Sequence, residues 1–341
     1  MSGIAVAVAG ATGVVGRVML EILAERRFPA REVIALASPR SEGKRLAYAG
    51  GELTVRQLTA DSFRGIDLAL FSAGAERARE FAPAAVRAGA TVVDNSSAFR
   101  MDPDVPLVVP EVNPESLRAH KGIIANPNCS TIQMVVALKP LHEAARIRRI
   151  VVSTYQAVSG AGQGALDELR QQVKAAERSE EAVPRIFSHP IAFNCLPQID
   201  AFLEEGGATR EEEKMVQETR KILGEPELAV SVTCVRVPVY NAHSESLNVE
   251  FERPLPPEEA RGILSRAPGV RVVDDPAALV YPMALDATGR DPVYVGRIRR
   301  DPSAPNALNL WVVADNLRKG AALNAVQLGE RLVADGLLKA A

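Results

Sequence analysis

Cys129 lies where the sequence changes from an apolar run, residues 122–125, to a helical pattern that begins near Ile132. The first turn of a helix leaves backbone N–H groups unpaired, and their partial positive charge lowers the pKa of a nearby thiol and favours the thiolate. A cysteine at such a junction has the position of a nucleophile. The alternative is a small, inert residue at a turn, because most free cysteines are buried and structural.

His243 lies between two β-rich segments, in the stretch 235–246. Catalytic groups gather on loops that a rigid sheet holds in place, so His243 is the candidate for proton transfer. The alternative is a loop histidine that is merely hydrogen-bonded. The other histidines fall in charge-rich helical or irregular segments, and we expect no catalytic role for them: His120, His142 and His189.

Arg236 precedes His243 in the same stretch and has apolar neighbours. Burying a guanidinium without an anion is costly. A guanidinium can also bind a carboxylate through two parallel hydrogen bonds. Arg236 is therefore either the binding group for a substrate carboxylate or a member of a structural ion pair.

A Gly-rich turn follows the first predicted strand, residues 4–9, and opens a predicted amphipathic helix that runs to about Arg26. Strand, turn and helix in this order are typical of dinucleotide binding. Gly10 would permit the tight turn, Gly13 would let a pyrophosphate approach the helix, and Gly16 would allow close packing. The spacing is GxxGxxG rather than GxGxxG, and a Gly-rich turn without a ligand is the alternative.

The end of the second predicted strand, residues 33–37, indicates which nicotinamide cofactor is used. An acid that binds the ribose hydroxyls must stand at the carboxyl end of this strand, whereas Glu32 stands before its predicted start. Ser38, Arg40 and Ser41 follow the strand instead. No carboxylate would repel a 2′-phosphate there, which favours NADP over NAD. The alternative is that Arg40 is a solvated loop charge.

Strands continue to alternate with helices through residue 125, with a helix at 75–88 that we expect to be interrupted near Pro83. This pattern predicts an α/β protein with an N-terminal Rossmann-type, doubly wound parallel sheet. Residues 228–314 carry period-2 strands, which predict a second, α+β domain with a mixed or antiparallel sheet. The expected domains are 1–128 for the cofactor and 129–316 for catalysis and dimerisation. A final helix at about 317–341 would pack back on the first domain.

Bulk composition excludes several classes of function. A net charge of −2 over 341 residues gives no field that would attract nucleic acid or an anionic membrane. Aromatic residues make up only 4% of the chain, too few for a stacking platform. The three cysteines are far apart and form no CxxC motif, so we expect no metal site, no disulfide framework and a cytoplasmic location. No apolar segment is long enough to predict a membrane span.

A nucleotide-binding half joined to a half that supplies a thiol predicts one reaction class. A thiolate attacks an acyl or aldehyde carbon, and hydride moves between the adduct and the nicotinamide. A capping-box pattern at 209–212 starts a helix on which Glu211 and Lys214 share a face. An ordinary surface salt pair is the simplest interpretation of those two residues.

Several stretches match one family, and they keep its order from the first strand to the last helix. The chain closely resembles the aspartate-β-semialdehyde dehydrogenases. The matching stretches are GATGVVG at 10–16, SSAFR at 96–100, NPNCST at 126–131, YQAVSGAG at 155–162, EEEKMVQETRKIL at 211–223, RVPVYNAHSES at 236–246 and ADNLRKGAA at 314–322.

The resemblance implies the roles of the catalytic residues. Cys129 would form an acyl-enzyme thioester, His243 would be the general acid/base, and Gln156 would orient the substrate and the thioacyl group. Residues of the same stretches would bind the substrate: Arg236 its α-carboxylate, Glu211 its amino group, and Arg100 and Lys214 the phosphate. NADP contacts are expected at Gly10, Thr12, Gly13, Val14, Val15, Ser38, Arg40, Ser41, Ser159, Gly160 and Asn316.

In the direction that the resemblance implies, aspartyl phosphate acylates the thiol, phosphate leaves, and NADPH reduces the thioester to aspartate semialdehyde. This reaction serves lysine (through diaminopimelate), threonine, methionine and isoleucine biosynthesis. The resemblance also implies a homodimer or a tetramer built from it. Residues 180–197 match no motif, and Cys195 and Cys234 receive no role.

Three alternatives remain at this point. An N-acetyl-γ-glutamyl-phosphate reductase would share the architecture, but that family has its cysteine in a Gly-Cys-Tyr setting, where this chain has Asn128-Cys129-Ser130. A cysteine hydrolase would use the same thiol and histidine with water, which the nucleotide-binding turn argues against. A non-catalytic nucleotide-binding relative would not need both Cys129 and His243.

Overall fold

The computed structural model describes residues 3–338. The chain divides into two compact units. One comprises the residues up to Asn128 together with those from Ala321 onward, and the other comprises Cys129–Gly320.

Strands that alternate with helices build the first unit. In chain order they are β1 (Ile4–Ala9), α1 (Val14–Glu25), β2 (Ala30–Ala37), β3 (Arg45–Tyr48), β4 (Gly51–Thr54), β5 (Arg56–Gln57), β6 (Leu68–Phe71), α2 (Ala75–Arg87), β7 (Thr91–Asp94) and β8 (Ile123–Ala125). Six of these strands form a sheet in the order β5-β2-β1-β6-β7-β8. Every pair in it is parallel. The strand order reverses at β1, which is the arrangement of a doubly wound sheet, and the predicted fold class is confirmed.

Three local features of the first unit differ from the sequence prediction. β2 begins at Ala30, so Glu32 lies within the strand rather than before it, although still far from its carboxyl end. Helix α2 runs through Pro83 without interruption, because a proline removes one hydrogen bond but can leave a kinked helix intact. β3 and β4 form a separate antiparallel hairpin, whereas the sequence pattern predicts only a short strand at Leu53 and Val55.

The second unit begins with a long helix and continues with a second sheet. Its elements are α3 (Cys129–Ala145), β9 (Ile147–Gln156), α4 (Gln163–Glu177), α5 (Arg210–Leu223), β10 (Ala229–Arg236), β11 (His243–Phe251), α6 (Pro257–Leu264), β12 (Val270–Val272), α7 (Ala284–Ala287), β13 (Val293–Arg300) and β14 (Ala307–Ala314). The predicted capping box at the start of α5 is present, with Thr209 and Glu212 bonded to each other's backbone N–H.

The second sheet has the order β10-β9-β11-β14-β13-β12. The outer pairs β9–β10 and β12–β13 are parallel, and the pairs between them are antiparallel. The sheet is therefore mixed, one of the two forms expected. Helix α3 packs on β9, β11, β13 and β14, which buries one face of the sheet along its whole centre.

The last helix, α8 (Leu323–Ala334), belongs to the first unit. A π-helical turn at Arg318–Ala322 precedes it, and positions 339–341 of the predicted terminal helix lie outside the described residues. Leu323 and Val326 of α8 share one buried apolar cluster with Val6 and Val8 of β1. Burial of each such side chain stabilises the unit by about 2 kcal/mol. The alternate residues of β1 pack in a second cluster with α2, so the sheet is covered on both faces.

In the described part of the chain, no helix is both long and apolar enough to cross a membrane.

Candidate active site

Cys129 is the first residue of α3, and its side chain is partly exposed. The backbone of Gly320 lies directly against it: a Cβ added to Gly320 would lie 2.9 Å from the Cβ of Cys129. Contacts this short between carbon atoms do not occur without displacement. Gly320 therefore leaves room for the thiol where any other residue would push against it. The other thiols differ, since Cys195 is exposed and Cys234 is buried.

Three of the predicted site residues form one row across neighbouring strands of the second sheet. Gln156 of β9 pairs with Arg236 of β10. Ser244 of β11 lies opposite Tyr155, and continuing this register by one residue places His243 opposite Gln156. All three row members are buried. Because adjacent strands lie about 4.8 Å apart, the sheet brings a guanidinium, an amide and an imidazole together. We call these three residues the site row.

The hydrogen bonding of His243 defines its protonation. Its Nδ1 accepts a hydrogen bond from the N–H of Ala157 at 2.9 Å, so Nδ1 carries no proton. Complete burial, reinforced by the positive charge of Arg236, holds the pKa of His243 well below its usual 6.5. The ring is therefore neutral at pH 7, with its proton on Nε2. Nε2 has no hydrogen-bond partner within residues 3–338. A buried donor without an acceptor is costly, and a substrate oxygen would satisfy it.

Arg236 is held from two sides. Its Nη1 donates to the carbonyl oxygen of Ala157 at 2.7 Å, and its guanidinium carbon lies 5.9 Å from the centre of the Phe187 ring. A Cβ added to Gly160 would lie 3.2 Å from this Nη1 and 3.5 Å from Nε2 of His243. The backbone of Gly160 thus faces a cation and an unpartnered N–H donor at once. That pair is suited to a substrate that carries a carboxylate and a carbonyl oxygen.

The electrostatics of Arg236 show which groups surround it. Burial lowers its pKa, and the acidic groups that oppose this are the Glu211 carboxyl and the thiols of Cys129 and Cys234. A guanidinium stays charged despite such a shift. Because Glu211 and Cys129 are close to Arg236, the start of α5, which carries Glu211, and the start of α3, which carries Cys129, lie beside the site row.

The start of α5 supplies the remaining predicted substrate ligands. Glu211 is buried, and its Oε1 accepts from Nε2 of Gln156 at 3.3 Å. Its Oε2 lies 3.4 Å from Nζ of Lys214, which also pairs with Asp200 at 2.7 Å. Burial alone would lower the pKa of Lys214, but the two carboxylates outweigh it and raise the pKa. Glu211 and Lys214 share a face as predicted, and the burial of Glu211 is not that of an ordinary surface pair.

Arg100, the other predicted phosphate ligand, lies in the first unit. It is buried, and it donates from Nε to the carbonyl oxygen of Asn126 at 2.9 Å and from Nη2 to that of Asn95 at 3.0 Å. Two loop carbonyls thus fix the plane of the guanidinium.

The Gly-rich turn after β1 has the shape that a bound pyrophosphate needs. Gly10 has φ +87°, and a Cβ there would overlap the carbonyl oxygen of Ser72. A Cβ on Gly16 would overlap the carbonyl oxygen of Gly10. Gly13 is the N-cap of α1, which has no side-chain cap, so the first N–H groups of the helix, from Val14 and Val15, point at the turn without a competing side chain.

A polar cluster flanks this turn at the end of β2. The hydroxyl of Thr12 lies 3.5 Å from that of Ser41, which lies 3.5 Å from Nζ of Lys44. Ser38 is partly buried and Arg40 is exposed. Lys44 is a further cofactor candidate that was not predicted from the sequence, although a second basic residue in the same loop was a signal for it.

Ser159 and Asn316, two predicted cofactor contacts of the second unit, are bonded to each other. Nδ2 of Asn316 donates to the hydroxyl of Ser159 at 2.9 Å, and its Oδ1 accepts from the N–H of Ala242 at 3.0 Å. Ala242 has φ +69°, a strained value for a residue other than glycine. The Asn316 amide thereby holds the residue that leads directly into His243.

Two further residues near the site were not found from the sequence: Asp200, which pairs with Lys214, and Phe187, which stacks under Arg236. Both belong to irregular chain around residues 180–203, where no periodic pattern tells which side chain faces inward. No cluster of His, Cys, Asp and Glu side chains suited to a metal ion occurs among the described residues.

Two family models match the chain. The NAD-binding domain of semialdehyde dehydrogenases matches residues 5–120, and their dimerisation domain matches residues 138–319. Most of the doubly wound sheet lies in the range that the first model matches, and the strands that carry Gln156, Arg236 and His243 lie in the range that the second matches, so the chain belongs to the semialdehyde dehydrogenase class.

Individual relatives narrow the class. Aspartate-semialdehyde dehydrogenase of Aquifex aeolicus is 57% identical over 340 residues, covering 98% of this chain and 100% of the relative. A solved structure of aspartate semialdehyde dehydrogenase II from Vibrio cholerae, complexed with ASA, has a TM-score of 0.96 and 48% identity, covering 98% and 99%. The Candida albicans enzyme with NADP has a TM-score of 0.77 and 28% identity, covering 99% and 100%. The chain belongs to the aspartate-semialdehyde dehydrogenase family.

Proposed function

We propose that this protein catalyses the reversible, NADPH-dependent reductive dephosphorylation of L-aspartyl-4-phosphate to L-aspartate-4-semialdehyde through a thioester on Cys129. The observation that carries the proposal is that the Arg236 guanidinium and the Nε2–H of His243 lie beside the same glycine, Gly160. A cation and a hydrogen-bond donor at this distance suit a substrate with a carboxylate and a reacting carbonyl. The test is an assay of the purified protein with aspartate semialdehyde, NADP and phosphate. NADPH should form only when all three are present.

Cys129 and His243 account for the steps of this reaction that protein side chains perform. The thiolate of Cys129 attacks the acyl carbon, the C–O bond to phosphate breaks, and a thioester remains. When bound, NADPH would supply the hydride for reduction of the thioester carbon. The carbonyl oxygen then becomes an oxyanion, which the Nε2–H of His243 stabilises by hydrogen bonding. When the C–S bond breaks, the aldehyde is released and Cys129 returns as a thiolate.

The tautomer of His243 sharpens its proposed role as general acid/base. Nε2 already bears the proton, so this nitrogen can donate to an oxygen but cannot accept a proton until the ring changes tautomer. The hydrogen bond from the N–H of Ala157 opposes that change. The geometry therefore supports hydrogen-bond donation from Nε2–H to the developing oxyanion, rather than abstraction of a proton by the neutral ring.

Substrate recognition is proposed for the groups around the site row. Arg236 binds the α-carboxylate, and the buried carboxylate of Glu211 binds the amino group. Gln156, which hydrogen-bonds Glu211, orients the acyl group. The phosphate is proposed to bind Lys214 and, in the first unit, Arg100.

Replacing Arg236 by lysine should raise the KM for aspartate semialdehyde by about tenfold to a hundredfold while kcat changes little. A lysine is a point charge and cannot reproduce the two parallel hydrogen bonds of the guanidinium. Steady-state kinetics in the oxidative direction would measure the effect. Arg271, an exposed arginine on β12, provides the control substitution. An unchanged KM in R236K would remove the carboxylate role.

NADP is proposed as the cofactor, and the first unit fits it. The uncapped start of α1 and the two glycines that tolerate no Cβ suit a pyrophosphate. At the end of β2, Arg40, Ser41 and Lys44 suit a 2′-phosphate, which NAD lacks. In the second unit, Ser159, Gly160 and Asn316 are proposed as further cofactor contacts. When bound, the nicotinamide would supply or accept the hydride.

Replacing Arg40 by alanine should lower the preference for NADP over NAD by about tenfold or more, because one charged contact to phosphate is lost. The ratio of kcat/KM for the two cofactors measures this. KM for NAD should hardly change, since NAD offers no phosphate to Arg40. Arg56, an exposed arginine on β5, is the control. Equal loss with both cofactors would contradict the assignment.

A homodimer, or a tetramer built from it, is proposed as the assembly. The match of residues 138–319 to a dimerisation domain supports it. So does the sheet face away from α3, where Tyr155 is 37% exposed and stacks near Trp311. Sedimentation equilibrium of the purified protein would show a monomer if this proposal is wrong.

A further inference from the structure

A second row of side chains lies two residues below the site row on the same three strands. Cys234 of β10 pairs with Thr154 of β9, and Thr154 pairs with Glu245 of β11. All three have 0% exposure. Side chains alternate along a strand, so these residues face the same side as Arg236, Gln156 and His243. We call Cys234, Thr154 and Glu245 the support row.

Glu245 is the anomalous member of the support row. Neither of its carboxyl oxygens has a hydrogen-bond partner of ordinary geometry in the described residues. Its polar neighbour is the side-chain amide of Gln133 on α3, and the Oε1 of that amide also lacks a partner. Three acceptor oxygens thus lie in one buried region without a donor of ordinary geometry in the described residues. One proton on Glu245 would turn an acceptor into a donor and allow a hydrogen bond between the two side chains.

Within residues 3–338, no positive charge offsets the burial of Glu245. Burial raises the pKa of Glu245 well above its usual 4.5, and only the Gln133 amide opposes the shift. The titratable groups that face the carboxyl are His243 on its own strand and the Cys234 thiol, whose own pKa burial raises. Its neighbours on the other packed elements carry no charge: Thr154 on β9, Val312 on β14 and Gln133 on α3.

The support row is connected to the site above it. The hydroxyl of Thr154 accepts from Nε2 of Gln156 at 3.3 Å. Nε2 of Gln133 lies 3.5 Å from the carbonyl oxygen of His243. Gln133 is also four residues after Cys129, so the two share a face at the start of α3. A change at Glu245 would therefore reach the nucleophile, the histidine and the orienting amide.

We propose that Glu245, kept as a neutral carboxylic acid, is a positioning residue that links the start of α3 to the site row through Gln133. It rests on the proposed roles of Cys129 and His243 and contributes no charge or proton to the reaction. Its donor proton satisfies Gln133, which in turn leaves the Gln133 amide N–H for the His243 carbonyl. The geometry of the thiol and the imidazole depends on that connection.

Kinetics of three variants separate this role from a charged one. Glu245→Gln keeps a neutral donor and acceptor and should retain a kcat close to that of the unaltered protein. Glu245→Met fills the space without hydrogen bonds and should lower kcat about tenfold to a hundredfold, with little change in KM, because reacting groups are displaced. Glu250→Gln, the same change on the same strand, removes ion pairs with Arg148 and Arg149 and should leave kcat unchanged.

The pH dependence of stability gives a readout that packing alone would not move. Above pH 4.5 the unfolded chain releases the Glu245 proton while the native protein keeps it. The native state then binds more protons, so this residue costs stability as pH rises. The Tm of E245Q should exceed that of the unaltered protein by a margin that grows from pH 5 to 8. An infrared difference spectrum at pH 7 should also show a protonated carboxyl band that E245Q lacks and E250Q retains.

The proposal is overturned if E245Q is as slow as E245M, if E245M is fully active, or if E245Q removes no protonated carboxyl band. The infrared and stability measurements need no turnover, so they decide the state of Glu245 even if the thioester mechanism fails. Failure of that mechanism would show separately, as full activity in Cys129→Ser.

Discussion

Replacing Cys129 by serine lowers kcat by at least about a thousandfold, because an un-ionised hydroxyl is a far poorer nucleophile than a thiolate at neutral pH. Cys129 begins α3, where backbone N–H groups favour the thiolate. Assay of NADPH formation from aspartate semialdehyde and phosphate measures the loss. Iodoacetamide should inactivate the unaltered protein, with one carboxamidomethyl group on the peptide that contains Cys129.

Cys195 is the matched control for this experiment, since its thiol is exposed and it has no role in the proposed reaction. Cys195→Ser should keep full activity and should still be inactivated by iodoacetamide. Cys234 should stay unmodified in the folded protein, because burial raises the pKa of its thiol. Full turnover by C129S would eliminate the thioester, and inactivation that tracks Cys195 would assign the reactive thiol elsewhere.

Local sequence was sufficient to predict the first sheet and the Gly-rich turn. The carbonyl oxygen of Gly10 leaves no room for a Cβ on Gly16, so the spacing of these two glycines reflects a constraint that lies within the turn itself. The capping box at Thr209 is local in the same way. The mixed pairing of the second sheet is not local, because the partner of β9 on one side is β10 and on the other β11.

The site row shows why the candidate site could be only partly predicted. Types and neighbours made Cys129, His243 and Arg236 candidates, but only strand register places Gln156 between the latter two. In the sequence, nothing distinguishes Glu245 from the other polar residues of an alternating strand. Its burial follows from α3 covering that face, which no pattern within β11 reveals. Lys44 and Asp200 were missed because loops carry no periodicity.

Strand register also explains why the site row and the support row have different roles. The site row includes a hydrogen-bond donor without a partner among the described residues, Nε2 of His243. The support row contains two titratable groups, the Cys234 thiol and the Glu245 carboxyl, that burial keeps uncharged. Neutral groups under a cationic site avoid adding a negative charge that would pair with Arg236 in place of the substrate. The covered face of this sheet therefore sets both the shape and the charge of the site.

Replacing His243 by alanine should lower kcat by about a hundredfold to a thousandfold, the usual cost of losing one oxyanion donor. Replacing it by glutamine should restore part of that loss, since a side-chain amide can donate from nearly the position of Nε2. A proton-transfer role predicts instead that glutamine and alanine are equally slow. The ratio of kcat for H243Q to kcat for H243A is therefore the decisive measurement.

The pH profile supplies the second half of this prediction. With its pKa held well below 6.5 by burial and by Arg236, His243 stays neutral from pH 6 to 8, so kcat should show no limb near 6.5. The unfolded chain does gain a proton there, so more protons bind to the unfolded state as pH falls and stability decreases below pH 6.5. H243Q should lose less Tm between pH 7 and 5 than the unaltered protein. A kcat limb at 6.5 that disappears in H243Q would show instead that the imidazole titrates in the native site and transfers a proton.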